Sequence, residues 1–482
     1  MHGLVFRRAP GIICLLTAVS LTLLASTPAM ADAGGTIYQS PDASGYSPYY
    51  QQDVPATTVN YAKAGLEDRV VELEAALAKI NAKSAEAKKK AAGKPTVTAG
   101  GRIMLDGACF NQNAMSMAQV GDEQNGVEFR RARLFLKGEA FNVIEYKAEY
   151  DFADTNSVNG QTIQSTAFKD VYIALKELPI LGHVRVGHFK EPIGLEQLTS
   201  SKYITFMERS LADEGAFVPG RNTGIMAHDM WADTYGTWAI GCFVADMTSE
   251  PPIYKDDDGG LSLSMRGTYL PWYDEATDGR GLWHIGASYS YRDTPNDTVR
   301  FRQRPECHIA SYIVDTGNIP DVPYWQLLGL ETAVVYGPFS VQAEWFCSFV
   351  HRTADQDLFY NGGYAYVSYF LTGEHRVYKK SGGVFDRVKP FENFFRVRAE
   401  DGNVYTGKGA WELAYRFSYL DLSEFDSGTN HPGTVYDHTI GLNWYLNPYT
   451  RMMFNYVNST LDNPIGNGGN MSIFEMRAQI DF

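Results

Sequence analysis

Residues 144 to 152 alternate with a period of two: Ile144, Tyr146, Ala148, Tyr150 and Phe152 fall on one face, and Glu145, Lys147, Glu149 and Asp151 on the other. That period is the side-chain repeat of a β-strand, so the segment is predicted to be a strand with one apolar and one charged face. Comparable patterns occupy residues 126–138, 168–176, 183–189, 238–246, 282–292, 328–336, 339–349, 410–422 and 439–446. Roughly 16 or 17 such segments fit between Thr96 and Phe482, at about 24 residues per strand and loop. An even number closes an antiparallel sheet with both chain ends on one side. The expected fold is therefore an all-β transmembrane antiparallel β-barrel of about 16 strands, with 18 as the alternative.

The last segment is the most specific. Ser472, Phe474, Met476, Ala478, Ile480 and Phe482 alternate with Ile473, Glu475, Arg477, Gln479 and Asp481, and the chain stops on Phe482. A terminal amphipathic strand ending in a free aromatic resembles the signal read by barrel-insertion machinery. Residues 96–482 form the expected barrel domain.

The N-terminal part has a different rhythm. Leu66, Val70, Leu73, Leu77 and Ile80 recur at alternating spacings of four and three, a heptad seam that predicts a short coiled-coil helix over residues 64–92. It reads either as an oligomerising helix or as an amphipathic helix packed on its own protein. Lys88, Lys89 and Lys90, then Gly93 and Pro95, end it. Residues 32–63 are rich in Ser, Pro, Tyr and Gln and read as a linker. In residues 1–31, Arg7 and Arg8, an apolar run from Ile12 to Leu24 and Ala29-Met30-Ala31 read as a cleaved signal peptide, which implies export. Cys14 lies inside that apolar run and reads as part of it.

Composition adds 30 Tyr, 26 Phe and 8 Trp, the excess expected of strands that meet lipid and carry aromatic girdles at their ends. No later window holds the roughly 18 uncharged apolar residues of a spanning helix, so insertion must be by strands. A net charge of −14 argues against a nucleic-acid surface. Cys109, Cys242, Cys307 and Cys347 lack metal-type spacing, and no cofactor is implied. Asp256-Asp257-Asp258 with Gly259 and Gly260 reads as a solvated loop.

Two stretches carry a family resemblance. One holds Arg185-Val186-Gly187-His188-Phe189-Lys190-Glu191-Pro192, then Thr199-Ser200-Ser201, Phe206-Met207-Glu208-Arg209 and Pro219-Gly220-Arg221-Asn222-Thr223-Gly224; the other is Phe129-Arg130-Arg131-Ala132-Arg133-Leu134-Phe135-Leu136-Lys137-Gly138. With the terminal strand, they resemble the phosphate-selective porin O and P family. The resemblance implies a homotrimer of 16-stranded barrels in the outer membrane of a Gram-negative-type bacterium, each pore narrowed by inward-folded loops and lined by cations. Its implied partners are outer-membrane lipid and phosphate or other small anions.

Selectivity in such a pore comes from charged side chains at a constriction. Residues 190 to 221 are long, weakly periodic and flanked by strands, as a constriction loop would be. Lys190, Lys202, Arg209 and Arg221 within them, with Arg131, Arg133 and Arg185 on strands, are the expected pore-lining, anion-binding residues. Arginine suits phosphate because its planar fork donates two parallel hydrogen bonds. Each has a structural alternative. Arg133 opposite Glu149 and Arg131 opposite Asp151, within a residue or two, would form cross-strand pairs. Glu191, Glu196 and Glu208 could hold the loop through buried ion pairs. Arg300, Arg302 and Arg304 read as a pore ladder or an exposed loop, and Arg396 with Arg398 as a further lumenal pair.

Two rivals to a passive porin remain from sequence. The N-terminal helix could tether the outer membrane to the cell wall, with the barrel as anchor. A barrel-type hydrolase is the weaker rival, since the ten His, His188 and His228 among them, form no recognised catalytic motif.

Overall fold

The computed structural model describes Lys79 and residues 94–158, 161–213, 215–244, 260–398, 402–425, 432–463 and 468–482. The expected signal peptide, linker and, apart from Lys79, coiled-coil helix lie outside these residues, as does Asp256-Asp257-Asp258.

Sixteen strands form one closed antiparallel barrel. They are β1 (Thr98–Gln112), β2 (Gly126–Ala140), β3 (Ile144–Val158), β4 (Gln161–Leu178), β5 (Gly182–Lys190), β6 (Arg221–Trp231), β7 (Gly236–Val244) and β8 (Leu261–Tyr273). They continue as β9 (Gly281–Asp293), β10 (Tyr324–Tyr336), β11 (Phe339–His351), β12 (Leu358–Phe370), β13 (Ala410–Asp421), β14 (Thr434–Asn447), β15 (Thr450–Asp462) and β16 (Gly469–Asp481). Each pairs with its sequence neighbours, and β16 pairs with β1 in the register Arg102↔Asp481 to Gln112↔Met471. Closure leaves no sheet edge, the only way irregularly shaped β structure satisfies its backbone in a bilayer.

The alternation read from sequence is the inside–outside alternation of this wall. On β16, Phe474, Met476 and Ile480 are exposed outward while Ile473, Glu475, Arg477, Gln479 and Asp481 are buried inward. The start of β1 and the end of β16 meet at one rim, here the chain-end rim, where Gly101 and Phe482 exchange backbone hydrogen bonds of 2.8 and 3.1 Å. Short turns join strands at this rim, as at a periplasmic side, with one exception, the long connection 371–409. Aromatic pairs ring it on the outside: Trp231 with Tyr269, Trp272 with Tyr336 and Trp411 with Trp444, at centroid distances of 5.4, 6.3 and 4.9 Å.

The lumen is not empty. Connections 191–220 and 294–323 enter from the opposite rim and 371–409 from the chain-end rim, and each reaches inward-facing wall side chains. Phe301 of the second connection packs edge-on against Phe217 of the first and against Trp325 and Tyr360 of the wall, at 5.7, 5.2 and 5.5 Å. On the chain-end side, Phe385 N donates to Thr199 Oγ1 at 3.4 Å, so the connections touch one another inside the barrel.

Candidate pore lining and constriction

Connection 191–220 cannot continue the strands. Pro192 removes a donor, Gly194 (φ 74°) and Gly215 (φ 111°) need left-handed backbone, and only a four-residue helix, α1 (Leu195–Leu198), interrupts the coil. Irregular backbone buried in a barrel leaves amides and carbonyls that must find partners. Here the wall supplies them. Glu344 on β11 accepts from Leu195 N at 2.6 Å and Glu196 N at 2.7 Å. Arg451 donates to Ile204 O at 2.8 Å, Asn443 to Thr205 O at 2.7 Å, Arg477 to Met207 O at 2.5 Å and Arg416 to Glu208 O at 3.0 Å.

The loop's own charges tie it further. Glu208 takes a two-pronged contact from Arg130, at 2.8 and 2.9 Å, and a third from Arg477 at 2.7 Å. Burial opposes ionisation of Glu208, but Arg130, Arg477 and Arg131 hold its carboxyl well below the ordinary range. Glu196 accepts from Arg416 at 3.1 Å, and Glu191 from Arg292 at 2.8 Å and Asn222 at 2.6 Å. Arg416 also holds Glu306 of connection 294–323 at 2.6 Å, so one buried guanidinium clamps two inward loops.

The residues singled out in the sequence fall into two groups. Lys190 donates to Gln197 O and Thr199 O, and Arg209 to the carbonyls of Glu196, Gln197 and Thr199 at 3.2 to 3.3 Å, so both lie against the loop backbone. The others lie on or near the wall. Arg133 binds Asp151 at 2.6 Å and approaches Glu149 at 3.6 Å; Arg221 binds Asp170 at 2.6 Å; Lys202 lies 3.5 Å from Asp481; Arg185 reaches Glu145 at 4.0 Å and covers the Tyr172 ring at 4.1 Å.

Arg131 differs from all of these. A register shift between Met104 and Leu105 on β1 opposes a bulge on β2, so Arg130 and Arg131 both turn inward although they are adjacent. Arg130 takes Glu208. Arg131 is 3% exposed and keeps a buried Nε without a hydrogen bond; among the described residues it makes no ion-pair contact, although the charge of Glu208 acts on it, and its hydrogen-bond-length contact is Met104 Sδ at 3.6 Å.

Around it the charges do not cancel. Beside it, Arg102, Arg133, Lys147 and Arg221 share three carboxylates, Glu149, Asp151 and Asp170, in contacts that run Arg102–Glu149–Lys147–Asp170–Arg221 at 2.5 to 2.9 Å, with Arg133 on Asp151 at 2.6 Å. This is also where the inner wall stays open. Glu145, Lys147, Asp170, Arg185 and Arg221 keep 14–34% of their side-chain exposure, whereas inward residues of β8 and β13–β16 such as Arg266, Arg416 and Arg477 are covered.

Arg300, Arg302 and Arg304 sit in connection 294–323, Arg300 against Asp315 and the other two over the Tyr312 ring at 4.1 and 4.6 Å. Arg396 and Arg398 are not on the wall at all but on a two-stranded ribbon of connection 371–409. His188 contacts Thr223 at 3.2 Å and His228 stacks on His183 at 5.2 Å. Among the described residues, no group of three or more His, Cys, Asp or Glu is placed to hold a metal. Sequence reasoning did not single out Arg102, Arg416, Arg451 or Glu344, or mark Arg477 as a loop clamp. Their signal was a charge at an inward position of an amphipathic strand, beside other inward polar residues such as Asp106, Glu412, Asn455 and Gln342.

A model of one family, described as phosphate-selective porin O and P, matches residues 97–482. The chain belongs to this family. Porin O of Pseudomonas aeruginosa is 27% identical over 407 residues, which cover 77% of this chain and 84% of that protein. An uncharacterised protein of Caulobacter vibrioides is 30% identical over 309 residues, 62% of this chain and 56% of its own length. Among solved structures, the outer membrane channel DcaP of Acinetobacter baumannii matches with a TM-score of 0.45 at 11% identity, over 80% of this chain and 97% of that one. An anion-selective porin from Comamonas acidovorans matches at 0.46 and 11%, over 81% and 100%. With its family and its closed barrel, the chain is a porin of the outer membrane.

Proposed function

We propose that this porin is a passive pore, not an enzyme, that favours small anions, phosphate among them, over cations. The observation that carries this reading is the guanidinium of Arg131, which makes no ion-pair contact among the described residues, next to four cations that share three carboxylates beside the open part of the inner wall. A buried cation whose nearest fixed counter-charge is already shared with other cations, as Glu208 is with Arg130 and Arg477, attracts a mobile anion. Arg185, Arg221 and Lys202 line the route, Arg131 and Arg133 act on it from the buried wall beside them, and Lys190 and Arg209 act on it by holding the loop that sets its width. The family description supports phosphate as one of the anions. The net charge of −14 does not oppose the reading, because an ion responds to the charges at the constriction within a Debye length, about 8 Å at physiological salt, and not to the total.

The functional unit in this reading is a homotrimer, with residues 64–92 as its oligomerising helix. Chloride current through single channels, recorded while inorganic phosphate is titrated in, tests the function. Block by phosphate below the chloride concentration supports a phosphate site; current indifferent to phosphate reduces the protein to a general porin.

A further inference from the structure

Connection 371–409 carries more than the part that enters the lumen. After Phe391 the chain turns outward, and Phe395–Arg398 pairs with Val404–Gly407 as a small antiparallel ribbon in the register Phe395↔Gly407, Arg396↔Thr406 and Arg398↔Val404. A two-residue period puts Phe395 and Tyr405 on one face and Arg396 and Arg398 on the other. Phe395 is 59% and Tyr405 54% exposed, and Phe391, just before the ribbon in the chain, is exposed as well. Large aromatics gathered in solvent mark a binding surface.

Its position says what it meets. Phe394 lies edge-on to Trp444 at 4.5 Å, its N–H donates to Leu446 O at 2.6 Å, and Trp444 Nε1 donates to Lys408 O at 2.9 Å. Trp444 faces outward, because its neighbours Asn443 and Tyr445 are the buried, inward ones, and it stacks on Trp411 in the aromatic ring of the chain-end rim. The ribbon therefore continues the lipid-facing girdle, and does not hang below the pore mouth. The left-handed backbone at Phe395 (φ 70°), unfavourable for an aromatic residue, falls where the rim-bound Phe394 hands over to the ribbon. At Gly407 a Cβ would lie 2.0 Å from Asn393 O, so the crossing of the ribbon on its own base requires glycine.

We propose that this ribbon is a membrane-interface anchor lying in the headgroup layer of the phospholipid leaflet at the chain-end side. Its aromatic face rests at the acyl boundary, and Arg396 and Arg398, with Lys389 and Lys408 at its base, bind the phosphates of anionic headgroups. Aromatic rings partition to that depth, and cations next to them gain from anionic lipid. Glu392 is the acid at its base, where it lies against Gly407.

The test places a photoreactive probe, Phe395→benzoylphenylalanine, in the full-length porin reconstituted in vesicles of phosphatidylethanolamine and phosphatidylglycerol, with adducts identified by mass after irradiation. Phospholipid adducts at residue 395 are expected. In the R396Q/R398Q background, phosphatidylglycerol adducts should fall by about threefold or more while phosphatidylethanolamine adducts persist. Single-channel conductance should match the unmodified porin in every variant, which also establishes that the barrel has folded. A crosslinked dimer in place of lipid would assign the ribbon to contact between copies and overturn the proposal, as would absence of any adduct. Equal loss of both lipids would overturn the role of the arginines.

Discussion

Arg477 on the last strand and Asp106 on the first are direct cross-strand partners, joined by two hydrogen bonds of 2.7 and 2.6 Å across the seam that closes the barrel. Both are buried, and the same guanidinium holds Glu208 and Met207 O of the constriction loop. Closure of the wall and placement of the loop thus share one side chain. Removing one member of a buried pair strands the other and costs about 3–5 kcal/mol. Arg477→Met should therefore lower the midpoint of heat-induced unfolding, followed by gel mobility, well below that of the double variant Arg477→Met/Asp106→Leu. Equal midpoints would mean that the pair adds nothing to closure.

Glu344 gives a prediction about the loop alone. A carboxylate offers two acceptors to the amides of Leu195 and Glu196, whereas the amide of Glu344→Gln offers one and turns an N–H group toward a donor. The loss, about 1–3 kcal/mol for an unsatisfied buried group, falls on loop docking and not on the wall. The variant should fold and insert normally but show flickering current; a quiet channel would show that the other clamps suffice.

Acid should loosen the same loop through Glu208. Its folded pKa is depressed, so its contribution is fully present above the ordinary glutamate value of 4.5 and is lost as pH falls through the lower folded value. Current is expected to stay steady from pH 7 to about pH 4 and to become noisy below. In Glu208→Gln the noise should be present already at neutral pH and not change with acid. Acid-induced noise of the same size in that variant would assign the effect to another group.

Arg131 and Arg133 separate selectivity from stability. Arg133→Gln leaves Asp151 without its 2.6 Å partner and should reduce both anion preference and the unfolding midpoint. Arg131→Gln strands no carboxylate, so only anion preference should fall. A large stability loss in Arg131→Gln would show that the side chain is held structurally.

Much of this was legible in the sequence because a barrel wall is a local pattern. Alternation in residues 144–152 or 472–482 reports the two faces directly, and an even strand number follows from closure. That residues 191–220 leave the wall was legible from their lack of period. The pairing inside the lumen was not, because Arg416 meets Glu196 and Glu306 across three separate stretches of chain, and no local spacing encodes that. Register fell within the expected margin of a residue or two for Arg133, which stands opposite Asp151 and approaches Glu149 at 3.6 Å, while the bulge that turns Arg130 and Arg131 inward together leaves Arg131 without a contact to Asp151. Arg396 and Arg398 show the converse. Alternation predicted a lumenal strand there, and the alternation is real, but it belongs to a ribbon at the rim.

The N-terminal region supplies a prediction independent of the pore. Deleting residues 32–92 should leave the conductance of each step unchanged but shift the purified protein from trimer toward monomer in mass measurements. Retained trimers with weakened attachment to cell-wall preparations would favour a tether instead.

The central claim is that the lumen prefers anions because Arg131 and its neighbours are not neutralised, and the reversal potential under a salt gradient tests it most directly. With tenfold more potassium chloride on one side of a planar bilayer, the wild-type porin should show a reversal potential of the sign set by chloride flow, and Arg131→Gln should move it toward zero at unchanged stability. A wild-type potential of the opposite sign, or one that Arg131→Gln leaves in place, would contradict the account.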